Sequence, residues 1–283
     1  PLASGGYTLV LLTDVLIFAL FAVSLHFIMG PGGLYSFGHA AYFGLGAYAA
    51  GIFFLQAKLP MELALALAPL AAGAGALAFG WFCVRLSGVY SAMLTLAFAQ
   101  IAWSAAFQWD ALTGGSNGIV GIWPAPWLSS KTAYYFLTLL CCGLGISFLW
   151  RTIYSPFGYA LRAARDSPLR ADAIGIDVRA TQWAAFTIAG LAAGIAGALY
   201  AFSKGSISPE AMGIQRSVDG LVMVMLGGIH TLTGPVWGAA LFTWLQDAAA
   251  RNIDYWRALI GIVILALVVA VPQGLGTLVQ GRK

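Results

Sequence analysis

Eight apolar runs, at 8–29, 34–56, 61–84, 88–109, 132–150, 182–203, 218–249 and 255–271, follow one another with only short charged, Gly- or Pro-bearing breaks between them. A helix that crosses the hydrocarbon core of a bilayer needs about 20 predominantly apolar residues, so these runs read as successive membrane spans. A soluble domain carries about 25% charged residues, whereas this chain has 8% charged and 60% hydrophobic residues and could not dress a water-facing surface. The expected fold class is all-α: a polytopic transmembrane helical bundle with broken or re-entrant helices. The expected organisation is a single transmembrane domain over 1–283, since nothing remains for a sizeable aqueous unit. The first run, Thr8 to Met29, is too long for a signal-peptide core and lacks a basic flank and a small-residue cleavage site. It is expected to be a retained helix. A net charge of +4, spread among apolar segments, argues against nucleic-acid binding, and the basic residues read better as topology markers.

Two places interrupt the apolar pattern from within. The run 218–249 exceeds a single span, and Gly227, Gly228, Gly234 and Pro235 lie in its middle. Two half-helices or a re-entrant pair are expected there. The stretch Gly30, Pro31, Gly32, Gly33, followed by Ser36, Phe37, Gly38 and His39, has the same broken character. Bare backbone survives at membrane depth only where protein or a water-filled cavity covers it, and transporters place such breaks at their solute sites. Ser36, Gly38, His39, Gly44, Gly227, Gly228 and Gly234 are therefore candidates for a translocation path. The 35 glycines and the run from Ala189 to Ala198 otherwise suit close helix packing, because lipid offers no hydrophobic driving force and association rests on backbone approach.

One connection is too polar to span. From Ser155 to Ala180 it carries Arg162, Arg165, Arg170, Arg179, Asp166, Asp172 and Asp177, in a chain with only 14 basic and 10 acidic residues. Its apolar positions recur at three- and four-residue spacing, which predicts two short amphipathic helices broken at Pro168. Four arginines in a short loop place it on the cytoplasmic side. Counting crossings from there puts Arg85, Arg151, Arg282 and Lys283 on the same side, provided that 218–249 returns to the side it left. The loops Thr113 to Lys131 and Gly205 to Arg216 are then expected on the opposite, periplasmic face, with Trp123 and Trp127 at the interface or against a partner.

Catalytic chemistry is sparse. His26, His39 and His230 are the only histidines, and no HExxH, acid pair or Ser/His/Asp set accompanies them. Asp14, Asp110, Asp219 and Asp247 lie closer to span ends than to a relay across the midplane. Cys83, Cys141 and Cys142 sit in apolar runs without a ligand neighbour, so neither a metal nor a disulfide is expected. No GxxxxGK[ST] phosphate loop occurs, so ATP-driven transport would need its motor on another chain. A charged amphipathic loop is then a physically sensible docking device, seating in a groove of a soluble partner. A stand-alone channel or ion-coupled secondary transporter is the competing reading.

At this loop a family resemblance becomes specific. The run SPFGYALRAARD at 155–166, followed by ADAIGI at 171–176, resembles the cytoplasmic coupling loop of LivM-type permeases of branched-chain amino-acid ABC importers. SFGHAAYFGLGAY at 36–48, GIAGALYA at 194–201 and LVMVMLGGIHTLTGPVWGA at 221–239 agree with that family in the same order. Asp172 departs from the residue that such permeases often carry in the loop, which leaves that contact open. The resemblance implies a multi-pass permease subunit of a bacterial inner membrane, without enzymatic activity of its own. It implies a second, LivH-like permease, two ATPases of the LivG and LivF kind that bind ATP and Mg, and a periplasmic binding protein delivering branched-chain or related neutral amino acids. On this chain it assigns ATPase coupling to Arg162, Arg165, Asp166, Arg170, Ala171, Asp172, Ala173 and Gly175.

Overall fold

The computed structural model describes residues 5–229, 231, 233–252 and 261. Apart from residue 261, the expected final span at 255–271 lies outside the described residues, as do His230, Arg282 and Lys283. Helices α1 (Gly6–Met29), α3 (Met61–Cys83), α4 (Val89–Gln108), α6 (Lys131–Ile153) and α9 (Val178–Lys204) are each long and apolar enough to cross a membrane. The chain is thus a multi-pass membrane protein. Between these spans lie α2 (Ala40–Leu55), the short α5 (Asp110–Thr113), α7 (Pro156–Asp166) and α8 (Pro168–Ala173). After them come α10 (Ile214–Gly227) and α11 (Gly234–Asn252).

Small side chains set the centre of the bundle, where α2, α3 and α9 pack together. Gly190, Gly194 and Gly197 recur at helical spacing on one face of α9. A Cβ on Gly190 would strike Ala76 of α3, one on Gly194 would strike Ala72, and one on Gly197 would strike the carbonyl of Phe43 in α2. Gly46 of α2 lies equally close to the backbone of Gly194. With no hydrophobic drive between helices in lipid, such backbone approach supplies the packing. Around it Phe21 meets Phe43 at 5.2 Å between centroids, and Phe43 meets Tyr200 at 5.4 Å, tying α1 to α2 and α9. Gly197→Val is expected to cost at least about 1–3 kcal/mol, the range for overpacking a tight core, and to lower the unfolding midpoint of the purified chain. Gly143→Val on the open face of α6, where an added Cβ meets nothing within 4 Å, should leave that midpoint in place.

The bundle has two distinct ends. One carries α7 and α8 together with the C-termini of α1, α3 and α6. At the other, β1 (Ile119–Val120) pairs antiparallel with β2 (Ser206–Ile207), joining the loop after α5 to the one after α9. The two loops expected on a common side are therefore hydrogen-bonded to each other. Trp123 and Trp127, which sequence placed here, are 64% and 63% exposed, and Trp127 Nε1 donates to Glu62 Oε1 at 3.1 Å.

Both interruptions are real, and each differs in detail from expectation. The run at 34–56 is helical only from Ala40, because residues 30–39 leave the helix, with Gly33 at φ +64°. In 218–249 the break falls at Gly228, with φ +98°, and its two arms are unequal. α10 has 14 residues, whereas α11, with Pro235 near its start, has 19 and is longer than a half-helix. α10 begins with Arg216 over the ring of Phe18 and reaches the α7–α8 end, where His26 Nε2 lies 2.8 Å from the carbonyl of Ile229. α11 then returns, and the guanidinium of Arg251 lies 3.7 Å from the ring of Tyr7 at the opposite end.

Candidate functional site

The break before α2 is held by side chains from three other helices. Ser24 in α1 donates its only hydroxyl proton to the carbonyl of Phe21 at 2.7 Å. Its oxygen also lies 2.8 Å from His39 Nε2, which ties the start of α2 to α1. The N–H of Phe37 donates to Thr95 Oγ1 of α4 at 3.1 Å, and the N–H of Ala40, at the start of α2, donates to Ser217 Oγ of α10 at 3.1 Å. An added Cβ on Gly38 would strike the Thr95 carbonyl, so glycine permits the close seat on α4. Ser24, Thr95 and Ser217 were missed by sequence reasoning, because a single hydroxyl residue inside an apolar run has no spacing signal.

Ser36 and His39 are completely buried, and Ser36 Oγ and His39 Nδ1 have no hydrogen-bond partner among the described residues. Gly44 abuts the side chain of Met212 on the turn Pro209–Met212. Gly227 and Gly234 lie backbone to backbone across the other break, which ends beside the first: a Cβ on Gly30 would sit 3.0 Å from the Ile229 carbonyl. The candidate path residues thus form two groups. One lies at the hub of α1, α2, α4 and α10, and the other at the end that carries α7.

The charged loop folds as two short helices, as its spacing predicts. Gly158, Leu161 and Ala164 are the buried face of α7. Arg162 donates to the carbonyl of Ile153 at 3.2 Å and lies between the rings of Tyr154 and Tyr159. Arg165 reaches across to the first break: its Nη1 donates to the Gly30 carbonyl at 2.7 Å and its stem covers Gly33, while Nη2 pairs with Asp166 at 2.7 Å. Ala171 is buried and anchors α8, with Arg170, Asp172, Ala173 and Gly175 exposed around it. Gly175, at φ +87°, terminates α8 with its N–H on the Asp172 carbonyl at 2.9 Å. Leu169 and Ile174 stand 87% and 75% exposed in this charged setting. A cavity of about 710 Å³ opens between loop and breaks, lined by His26, Gly30, Tyr35, Arg162, Arg165 and Thr231 among others.

The acidic residues in the spans are neutralised locally. Asp14 pairs with Lys204 at 2.7 Å, Asp247 with Arg251 at 3.3 Å, and Asp219 with Arg216 at 3.8 Å. No chain of acids leads across the bundle among the described residues, nor does any cluster there have the composition of a metal site. Cys83 and Cys142 are buried thiols, and Cys141 is half-buried.

Comparison with known proteins gives the family of the chain. The family described as the permease component of the branched-chain amino acid transport system matches residues 7–268. The high-affinity branched-chain amino acid transport system permease protein LivM of Escherichia coli K12 is 27% identical over 303 aligned residues, covering 97% of this chain and 71% of its own length. Its counterpart in Salmonella typhimurium LT2 is 26% identical over 291 residues, covering 93% and 68%. The probable branched-chain amino acid transport permease protein LivH of Methanocaldococcus jannaschii is 28% identical over 150 residues, half of this chain and 46% of its own length. No solved structure matches the chain significantly.

Proposed function

Because the chain belongs to the branched-chain amino acid transport permease family, the membrane component of ABC importers, we propose that it is the LivM-type permease subunit translocating branched-chain or related neutral amino acids. It works in a bacterial inner membrane, as one domain, beside a second, LivH-like permease. Two LivG- and LivF-like ATPases bind ATP and Mg²⁺ on the cytoplasmic side, and a periplasmic binding protein delivers the solute to the opposite face. The chain itself lacks a phosphate loop, so its own residues transmit motion and do not hydrolyse nucleotide.

The observation that carries this reading is the hydrogen bond from Arg165 to Gly30. It joins the charged helix α7 to the first break, and that break touches the second break at Ile229. A displacement of α7–α8 by an ATPase would move the backbone of both interruptions directly. Arg162, Arg165, Asp166, Arg170, Ala171, Asp172, Ala173 and Gly175 form the coupling surface. Ser36, Gly38, His39, Gly44, Gly227, Gly228 and Gly234 shape the path and its hinges. ATP then acts through its differential affinity for two arrangements of the assembly.

Proteoliposomes containing the two permeases and two ATPases, supplied with binding protein, are expected to accumulate radiolabelled leucine only with internal ATP. Leucine counterflow in vesicles holding this chain alone would establish the secondary-transporter reading instead.

A further inference from the structure

The cavity at the α7 end holds positive charge that the chain itself leaves partly unanswered. Arg162 and Arg165 both line it, and no acidic side chain is among its described lining residues. Arg165 is committed to Asp166 and to the Gly30 carbonyl. Arg162 pairs with no carboxylate among the described residues. One of its N–H groups goes to the Ile153 carbonyl at 3.2 Å, and the rings of Tyr154 and Tyr159, at 5.5 and 5.4 Å, fix the guanidinium in place. A guanidinium carries its N–H donors in a rigid fork that matches phosphate, and the donors not used on Ile153 are available to an anion.

One wall of this cavity leads away from the chain along α6. Trp150 and Tyr154 line it and are each 55% exposed, and such rings at the end of a span mark the headgroup layer. Gly143 precedes Trp150 by seven residues and Tyr154 by eleven. At 100° per residue both rings lie within about 20° of Gly143 around the helix, so the three share one outward stripe. Gly143 is the floor of an apolar groove of about 420 Å³ walled by Phe136, Leu139, Leu140 and Leu144. Ser147, between groove and cavity on the same stripe, is exposed and short. From Gly143 to Tyr154 the helix rises about 16 Å, close to half of a hydrocarbon core about 30 Å thick. Groove and charged cavity are therefore aligned and separated by the depth of one leaflet.

We infer that the chain binds one phospholipid with an anionic headgroup, its phosphate on Arg162 in the cavity at the α7 end and an acyl chain laid along the Gly143 stripe of α6. Basic pockets between spans at the headgroup level take anionic lipid in this way. A free anion or an amino acid would use the cavity alone and leave the aligned groove without a role. The inference goes beyond the importer reading and needs no partner subunit, since the α7 end meets a headgroup layer on whichever side it lies. Arg165 is one turn from Arg162 on α7, which puts the headgroup beside the bond from Arg165 to Gly30.

The test uses the full chain, purified in a non-ionic detergent and stripped of lipid. It is titrated with dioleoylphosphatidylglycerol and, separately, with dioleoylphosphatidylcholine, and bound lipid is counted by native mass spectrometry. One arginine at a headgroup contributes about fivefold in binding, so the unmodified chain should hold the anionic lipid at least about fivefold more tightly, as a single copy. Arg162→Gln should abolish that preference. Arg85→Gln, which removes an equal charge lying over the Trp81 ring beyond α3, should preserve it. Gly143→Phe, whose ring fills the groove, should weaken both lipids by a similar factor and leave the preference between them. Equal binding of the two lipids by the unmodified chain, or equal losses in the two arginine variants, would overturn the inference. Displacement of the bound lipid by millimolar inorganic phosphate or leucine would overturn it too, assigning the cavity to a free anion or to the solute. Unchanged affinities in Gly143→Phe would rule out the acyl chain on α6.

Discussion

A chain carrying Leu169→Asp and Ile174→Asp is expected to lose its ATPase subunits on affinity purification, while its own expression and thermal stability stay as they are. Both side chains stand almost clear of the protein, at 87% and 75% exposure, so neither contributes to the packing of the chain itself. Arg170, Asp172, Asp177 and Arg179 flank them in the chain and are all exposed, a charged setting that does not suit acyl chains as their cover. Burial of each against a groove in a soluble partner contributes about 1.5–3 kcal/mol. Losing both, and placing two carboxylates there, should weaken association about 100-fold or more. Retained ATPase in the purified complex, measured by band ratio and by binding isotherm, would show that α8 is not the docking surface. Ala171→Asp probes the other side of α8. That residue is buried, so its substitution should also lower the stability of the free chain, which separates anchoring from docking.

The coarse fold was legible because bilayers impose one rule, and runs such as Thr8 to Met29 and Gln182 to Ser203 meet it by length alone. Ends of spans were legible where charge changed abruptly, as at Arg151 and Lys204. The two breaks were visible as Gly–Pro clusters, yet their extents were not. Residues 34–39 open the apolar run 34–56, and where α2 begins is set by tertiary ties that no local pattern shows: Ser24 to His39, Thr95 to Phe37 and Ser217 to Ala40. The charged loop announced itself by Arg162, Arg165 and Arg170. That Arg165 reaches Gly30, 135 residues earlier, depends on the return of α6 along α1, which no local spacing encodes. Likewise the pairing of Asp14 with Lys204 joins the N-terminal half of α1 to the last residue of α9. Leu169 and Ile174 enter the sequence pattern only as apolar spacers, since amphipathic periodicity says which side chains are apolar and not which of them the chain itself leaves uncovered.

Arg165→Ala is expected to reduce ATP-dependent uptake by about 10- to 100-fold while the complex still assembles and still hydrolyses ATP. Two contacts of this side chain differ in weight. The pair with Asp166 is a surface pair, 41% and 62% exposed, and such pairs contribute little. The bond to the Gly30 carbonyl crosses from the loop to the backbone of the first break, and a hydrogen bond to a charged group contributes about 1.5–3 kcal/mol. Coupling free energies of that size correspond to about 5- to 150-fold between linked sites. Removing the bond leaves α8, with Leu169 and Ile174, able to hold an ATPase, so motor activity persists without a rigid connection to the path. Gly33→Ala reaches the same state from the other side: at φ +64° alanine is strained, and its Cβ would occupy the space of the Arg165 stem. The ratio of leucine imported to ATP hydrolysed is the deciding measurement. It should fall in both single variants. Combining Arg165→Ala with Gly33→Ala should lower it by less than the product of the two single effects, since both act on one contact. A ratio equal to that of the unmodified importer in Arg165→Ala would mean that motion reaches the breaks by another route, through Arg162 and the end of α6.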